Sequence, residues 1–213
     1  MLKYQAKHWL FLAPFVKRAL KKRYDAADVK LIMGGAKDEY KKLLEQADNI
    51  GEKNPMADNL YFSLLFFSFM KASDGKIGPQ ELRQLMRDTL SDPILLKLMG
   101  NGDFNDPKQL AKFGKKMHDN SDWAEEHREE YPETWKFNFD DSHQDGVYYY
   151  FTKCPIAKFF NDQGMGDLAP IFCELDYLTV KTRRAQLLRE KTLAQGDDMC
   201  DFWIVGDQVQ DPK

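Results

Sequence analysis

The segment Arg189-Glu190-Lys191-Thr192-Leu193-Ala194-Gln195-Gly196-Asp197-Asp198-Met199-Cys200-Asp201-Phe202-Trp203 reads as strand, tight turn, strand. Gln195-Gly196-Asp197-Asp198 is a cluster of turn formers between two β-capable runs, the usual signal for a hairpin. On the second arm Cys200, Phe202 and Ile204 alternate with Met199, Trp203 and Val205, so both faces are apolar. Asp201 shares a side with Met199 and Trp203. A lone carboxylate there costs several kcal/mol, so it must find a partner or keep its proton.

Working back from the hairpin, the same half carries further β signals. Trp135 to Phe139 alternates apolar and polar, as a half-buried strand does. A turn at Asp140 to Gly146 leads to a second strand, Val147 to Thr152, and then to Cys154-Pro155. Two helices follow. The first holds Ile156, Ala157, Phe159 and Phe160; the second, over 167–179, is capped by Asp167 and carries Ile171, Phe172, Leu175 and Leu178. Arg183 to Leu193 and Met199 to Val205 then close the hairpin.

Upstream, the pattern is helical. Trp9, Leu12, Val16, Leu20 and Tyr24 fall near helical spacing, Met33-Gly34-Gly35-Ala36 interrupts, and Lys37 to Ile50 resumes. Asn54-Pro55 opens an aromatic-rich core helix through Met70. Asp74 to Glu81 imitates half of a calcium loop, but Met70 and Ala72 would occupy its first ligand positions, so calcium is rejected. Glu81 to Met99 and Pro107 to about Arg128 continue as helix, with a break at Gly100-Asn101-Gly102-Asp103. The expected architecture is α+β: a single domain over 1–213, mostly helical in 1–130, with an antiparallel β-β-α-α-β-β part in 131–213.

Composition narrows the function classes. With 43% hydrophobic and 31% charged residues the chain reads as globular rather than disordered. Its net charge of -3 and the lack of a basic stripe give no reason to expect nucleic acid. The longest apolar runs fall far short of the roughly 20 residues that cross a bilayer, so no membrane partner is expected. An odd count of three cysteines points to a reducing compartment, the cytoplasm.

The chemistry-bearing residues also lie in the second half. Cys154, Cys173 and Cys200 are 19 and 27 residues apart, which matches no zinc-finger spacing. Asp176 follows Cys173 by three residues, on one helical face. Three readings stay open: cysteines as small core residues; a thiol nucleophile with Asp176 or Asp201 managing protons; or Cys154, Cys173, Cys200 and a carboxylate holding a zinc ion that acidifies a water. Arg189 and Lys191 either clamp a substrate carboxylate or, in the case of Arg189, neutralise Asp201 across the hairpin.

The ordered set Tyr150-Phe151-Thr152-Lys153-Cys154, Gly164, Pro170-Ile171-Phe172-Cys173-Glu174-Leu175-Asp176, Arg189 to Asp197 and Cys200-Asp201-Phe202 resembles the L-2-amino-thiazoline-4-carboxylic acid hydrolase family. The resemblance implies hydrolytic opening of a cyclic amidine-like C–N bond in a small heterocycle bearing a carboxylate. It implies Cys154, Cys173, Asp176, Cys200 and Asp201 as catalytic residues, with Arg189, Lys191 and Thr192 holding the substrate. The closing Gly-x-x-x-Cys-x-Phe is similar to the end of 4-vinyl-reductase-type domains. That weaker resemblance implies the alternative of a small-molecule-binding module without turnover.

Overall fold

A computed structural model describes every residue except Asn101, so of the expected Gly100-Asn101-Gly102-Asp103 break that one residue lies outside the described residues. The chain forms two compact units, Met1–Met99 and Gly100–Lys213. The first is helical: α1 (Ala6–Leu20), α2 (Ala26–Gln46), α3 (Ala57–Lys71), α4 (Pro79–Leu90) and α5 (Pro93–Met99). Helix α3 is the expected core helix, with Leu64, Phe66, Phe67 and Phe69 essentially without solvent contact. Two boundaries differ from the sequence reading. Helix α2 runs through Gly34-Gly35 without interruption, because at Gly35 the backbone lies against Ala72, where an added Cβ would be 3.3 Å from the alanine methyl. The glycine pair permits close packing rather than a turn. The Glu81–Met99 helix is in fact two, because the Asp92 carboxylate takes the Ile94 N–H at 2.9 Å and starts α5 at Pro93.

The second unit holds α6 (Pro107–Glu126), β1 (Lys136–Asn138), β2 (Val147–Lys153), α7 (Pro155–Asp162), α8 (Ala169–Lys181), β3 (Ala185–Leu188) and β4 (Cys200–Gly206). Its four strands form one antiparallel sheet in the order β1-β2-β4-β3. This is the α+β class expected from the sequence. Asp167 does not cap α8: it sits within a short 3-10 turn, Gly166–Leu168, and Leu168 is the residue preceding the helix. With Pro170 in its first turn, α8 begins where the missing amide costs least.

Register sorts the sheet's side chains. Tyr149 faces Phe202 and Phe151 faces Cys200 on one side; Tyr150 faces Asp201 on the other. The first side is the packed one. Tyr149 stacks on Phe202 with centroids 5.0 Å apart, and Phe113 of α6 lies against Tyr149. Helix α8 packs on β3 at the same sheet. Among the described residues no helix is long and apolar enough to cross a membrane.

Candidate active site

Strand β3 stops at Leu188, five residues before the sequence pattern ends it at Leu193, and the reason lies in its neighbours' side chains. Beyond Leu188 the backbone donors are taken out of the ladder. The Asp201 carboxylate accepts from Glu190 N–H at 2.9 Å and from Lys191 N–H at 2.7 Å. Asp197 accepts from Thr192 N–H at 2.7 Å, and Cys200 Sγ takes the Leu193 N–H at 3.2 Å. Competing side-chain acceptors turn an expected tight hairpin into a broad loop with a 3-10 turn, Leu193–Gln195. Arg189 and Lys191 therefore stand in a loop, not in alternation along a strand.

The same bonds resolve the Asp201 conflict. Its side chain is nearly buried, the residue being 9% exposed, and its partners are two backbone amides rather than Arg189. Charge-assisted bonds to main-chain N–H groups satisfy a buried carboxylate without a counter-ion. Asp201→Ala should leave both amides unpaired and cost about 3 kcal/mol, while Asp201→Asn, which keeps one acceptor oxygen, should cost about half as much. Urea midpoints of the two variants check the ordering; equal stability would contradict it.

Arg189 makes a different set of contacts. Its side chain is 2% exposed. Nη2 donates to Asp176 Oδ2 at 2.8 Å, Nε to the Asp201 carbonyl at 3.1 Å and Nη1 to the Cys173 carbonyl at 3.3 Å. The guanidinium lies 4.0 Å over the Phe202 ring. So enclosed, Arg189 ties α8 to the start of β4 and is spent on protein groups. Lys191 is half-exposed and pairs with Asp198 at 3.0 Å; Thr192 is buried and donates its hydroxyl to Gln195 at 3.1 Å.

Asp176 is the accessible end of this arrangement. Its side chain keeps 38% of its surface open. Yet dehydration by the surrounding protein pushes its carboxyl above the ordinary carboxylate range, with the Arg189 guanidinium pulling the other way. Cys173, one turn earlier on α8, and Cys154, which immediately precedes α7, are likewise half-buried, whereas Cys200 is buried. Burial pushes the Cys154 thiol up to about 12, raises Cys173 further, and raises Cys200. Asp176, Cys154 and Cys200 each add to the electrostatic cost of ionising Cys173, in that order after burial. All three thiols rest protonated at neutral pH.

Among the described residues no three His, Cys, Asp or Glu side chains are arranged to hold a metal ion. The zinc expectation on Cys154, Cys173 and Cys200 thus finds no ligand set. The histidines are each engaged in other contacts. His143 stacks on Tyr148, His118 on Phe139 and His127 on Trp123, and His8 bonds to Asp58 at 2.8 Å. The sequence reading missed three contributors. Phe202 was read as an apolar strand and motif residue, and Asp197 as a turn former within the motif, neither with its contact to the loop. Tyr177, four residues after Cys173 on α8, gave a signal through that spacing alone.

A family model described as L-2-amino-thiazoline-4-carboxylic acid hydrolase matches residues 58–204. Comparison with curated proteins and with solved structures finds no match.

Proposed function

The chain belongs to the L-2-amino-thiazoline-4-carboxylic acid hydrolase family, and from that premise we propose that it opens a C–N bond of a small cyclic amidine-like substrate such as an aminothiazoline carboxylate. One observation carries the assignment: Asp176, solvent-accessible yet raised in pKa, is aimed by buried Arg189 and shares a helix face with Cys173. We also propose that residues 1–213 work as one functional domain; that the family match over 58–204 includes parts of both compact units supports this.

In the proposed reaction Asp176 accepts the Cys173 proton as the sulfur adds to the amidine carbon, forming a C–S bond. The tetrahedral adduct then collapses with cleavage of the ring C–N bond, and Asp176 returns the proton to the departing nitrogen. Water, deprotonated by Asp176, displaces the thiol from the resulting enzyme-bound intermediate and restores Cys173. A raised carboxyl pKa suits this role, because a more basic carboxylate is a better match for a protonated thiol. Cys154 adds to the electrostatic cost of ionising Cys173. Cys200 and Asp201 hold the loop that carries Arg189, and Arg189 positions Asp176 rather than gripping substrate.

Ring opening by the purified protein, followed across pH, tests this directly. As pH falls through the folded pKa of Asp176 the carboxyl gains a proton and can no longer accept one, so activity is lost. The acid limb of kcat/KM should stand above the range of an ordinary aspartate. A limb within or below that range would contradict Asp176 as the base. The alternative, a binding module without turnover, draws support from the three protonated thiols; it requires stoichiometric capture of the same compound with no product. Three cysteines free of disulfides support a reducing compartment such as the cytoplasm.

A further inference from the structure

Helix α8 places a third group beside the thiol and the carboxyl. Cys173, Asp176 and Tyr177 stand at i, i+3 and i+4, the spacing that brings side chains onto one helical face. Tyr177 is 44% exposed, and among the described residues its hydroxyl has no hydrogen-bond partner. Single exposed aromatics are common, but this ring is tied down: the Arg189 guanidinium lies 5.6 Å from its centroid. The same guanidinium is fixed by Asp176 at 2.8 Å and by Phe202 at 4.0 Å. The ring is thus held next to the reacting groups while much of its surface stays open.

We infer that Tyr177 is the substrate shelf of this site, and that it selects heterocycles with a flat amidine segment over fully saturated ones. The inference rests on the hydrolytic reading of the Cys173–Asp176 pair and deepens it. An aromatic face stacks on the flat N–C–S segment and amino nitrogen of a thiazoline, which a fully saturated ring lacks. Because the contact is made before and throughout bond breaking, it lowers KM rather than raising kcat.

The test is steady-state ring opening of 2-amino-thiazoline-4-carboxylic acid, with saturated thiazolidine-4-carboxylic acid as competitor. Tyr177→Ala should raise KM about five- to ten-fold with kcat within about two-fold, the range of one lost aromatic contact. Tyr177→Phe should behave as wild type, and the preference for the thiazoline over the saturated competitor should collapse only in the alanine variant. Unchanged KM in Tyr177→Ala, a matching fall in kcat, or failure of phenylalanine to rescue overturns the shelf. Loss of activity in Asp176→Asn alongside a silent Tyr177→Ala sinks the shelf alone; if Asp176→Asn is also silent, the hydrolytic reading falls with it.

Discussion

Asp176→Asn should lower kcat/KM for ring opening by about 10³-fold, within the 10²–10⁴ range of a positioned acid–base group. The amide cannot take the Cys173 proton or return one to the leaving nitrogen. It can still accept from Arg189 Nη2, which in the native protein donates to Oδ2 at 2.8 Å, so the loop should keep its place. The fold should therefore survive with only a modest drop in melting temperature, and the acid limb of the pH profile should vanish. A variant that keeps its activity, or keeps the limb, would move the base elsewhere. The test separates chemistry from architecture because Asp176 is the accessible member of the pair and Arg189 the enclosed one.

Arg189→Ala should do the reverse and act first on stability. Removing the guanidinium leaves the Asp176 carboxylate, the Asp201 carbonyl and the Cys173 carbonyl without their donor and opens a hole above Phe202. Breaking a buried pair by deleting one member costs about 3–5 kcal/mol, and the lower end is expected because Asp176 keeps some solvent contact. The urea midpoint should shift accordingly, and activity should fall because Asp176 is no longer aimed. With the cation gone, only dehydration acts on the carboxyl, so the acid limb of any residual activity should move further up in pH. In the double variant Asp176→Asn/Arg189→Ala the two stability losses should fall short of adding by about 1 kcal/mol or more, the mark of direct coupling. Full additivity would mean that the pair is decorative.

Much of this arrangement was legible before any coordinates. The order β-β-α-α-β-β follows from period-two alternation in Trp135–Phe139, a second β-capable run in Val147–Thr152, helical spacing in 156–160 and 167–179, and the turn formers after Leu193. The demand that Asp201 find a partner was also correct in kind. What the sequence could not show was which partner. A carboxylate at the start of a strand can bond a side chain or the main chain, and the choice depends on where the backbone amides of Glu190 and Lys191 point, a three-dimensional fact. The same limit hid the early end of β3: propensity favours continuing the strand, but acceptors on Asp197, Cys200 and Asp201 outcompete the ladder. Gly34-Gly35 misled for a related reason, since a breaker in isolation becomes a packing device when a second helix lies against it. The i, i+3 link between Cys173 and Asp176 was readable because it is local. Arg189 reaching Asp176 across thirteen residues was not, and the cation was assigned to the substrate or to Asp201 instead.

The most direct measurement is the rate of aminothiazoline ring opening by Cys173→Ser beside wild type, with circular dichroism confirming that both are folded. The account predicts turnover by the native protein and none above background by the serine variant, while Cys200→Ser loses stability before it loses chemistry. Undiminished ring opening by folded Cys173→Ser would contradict it.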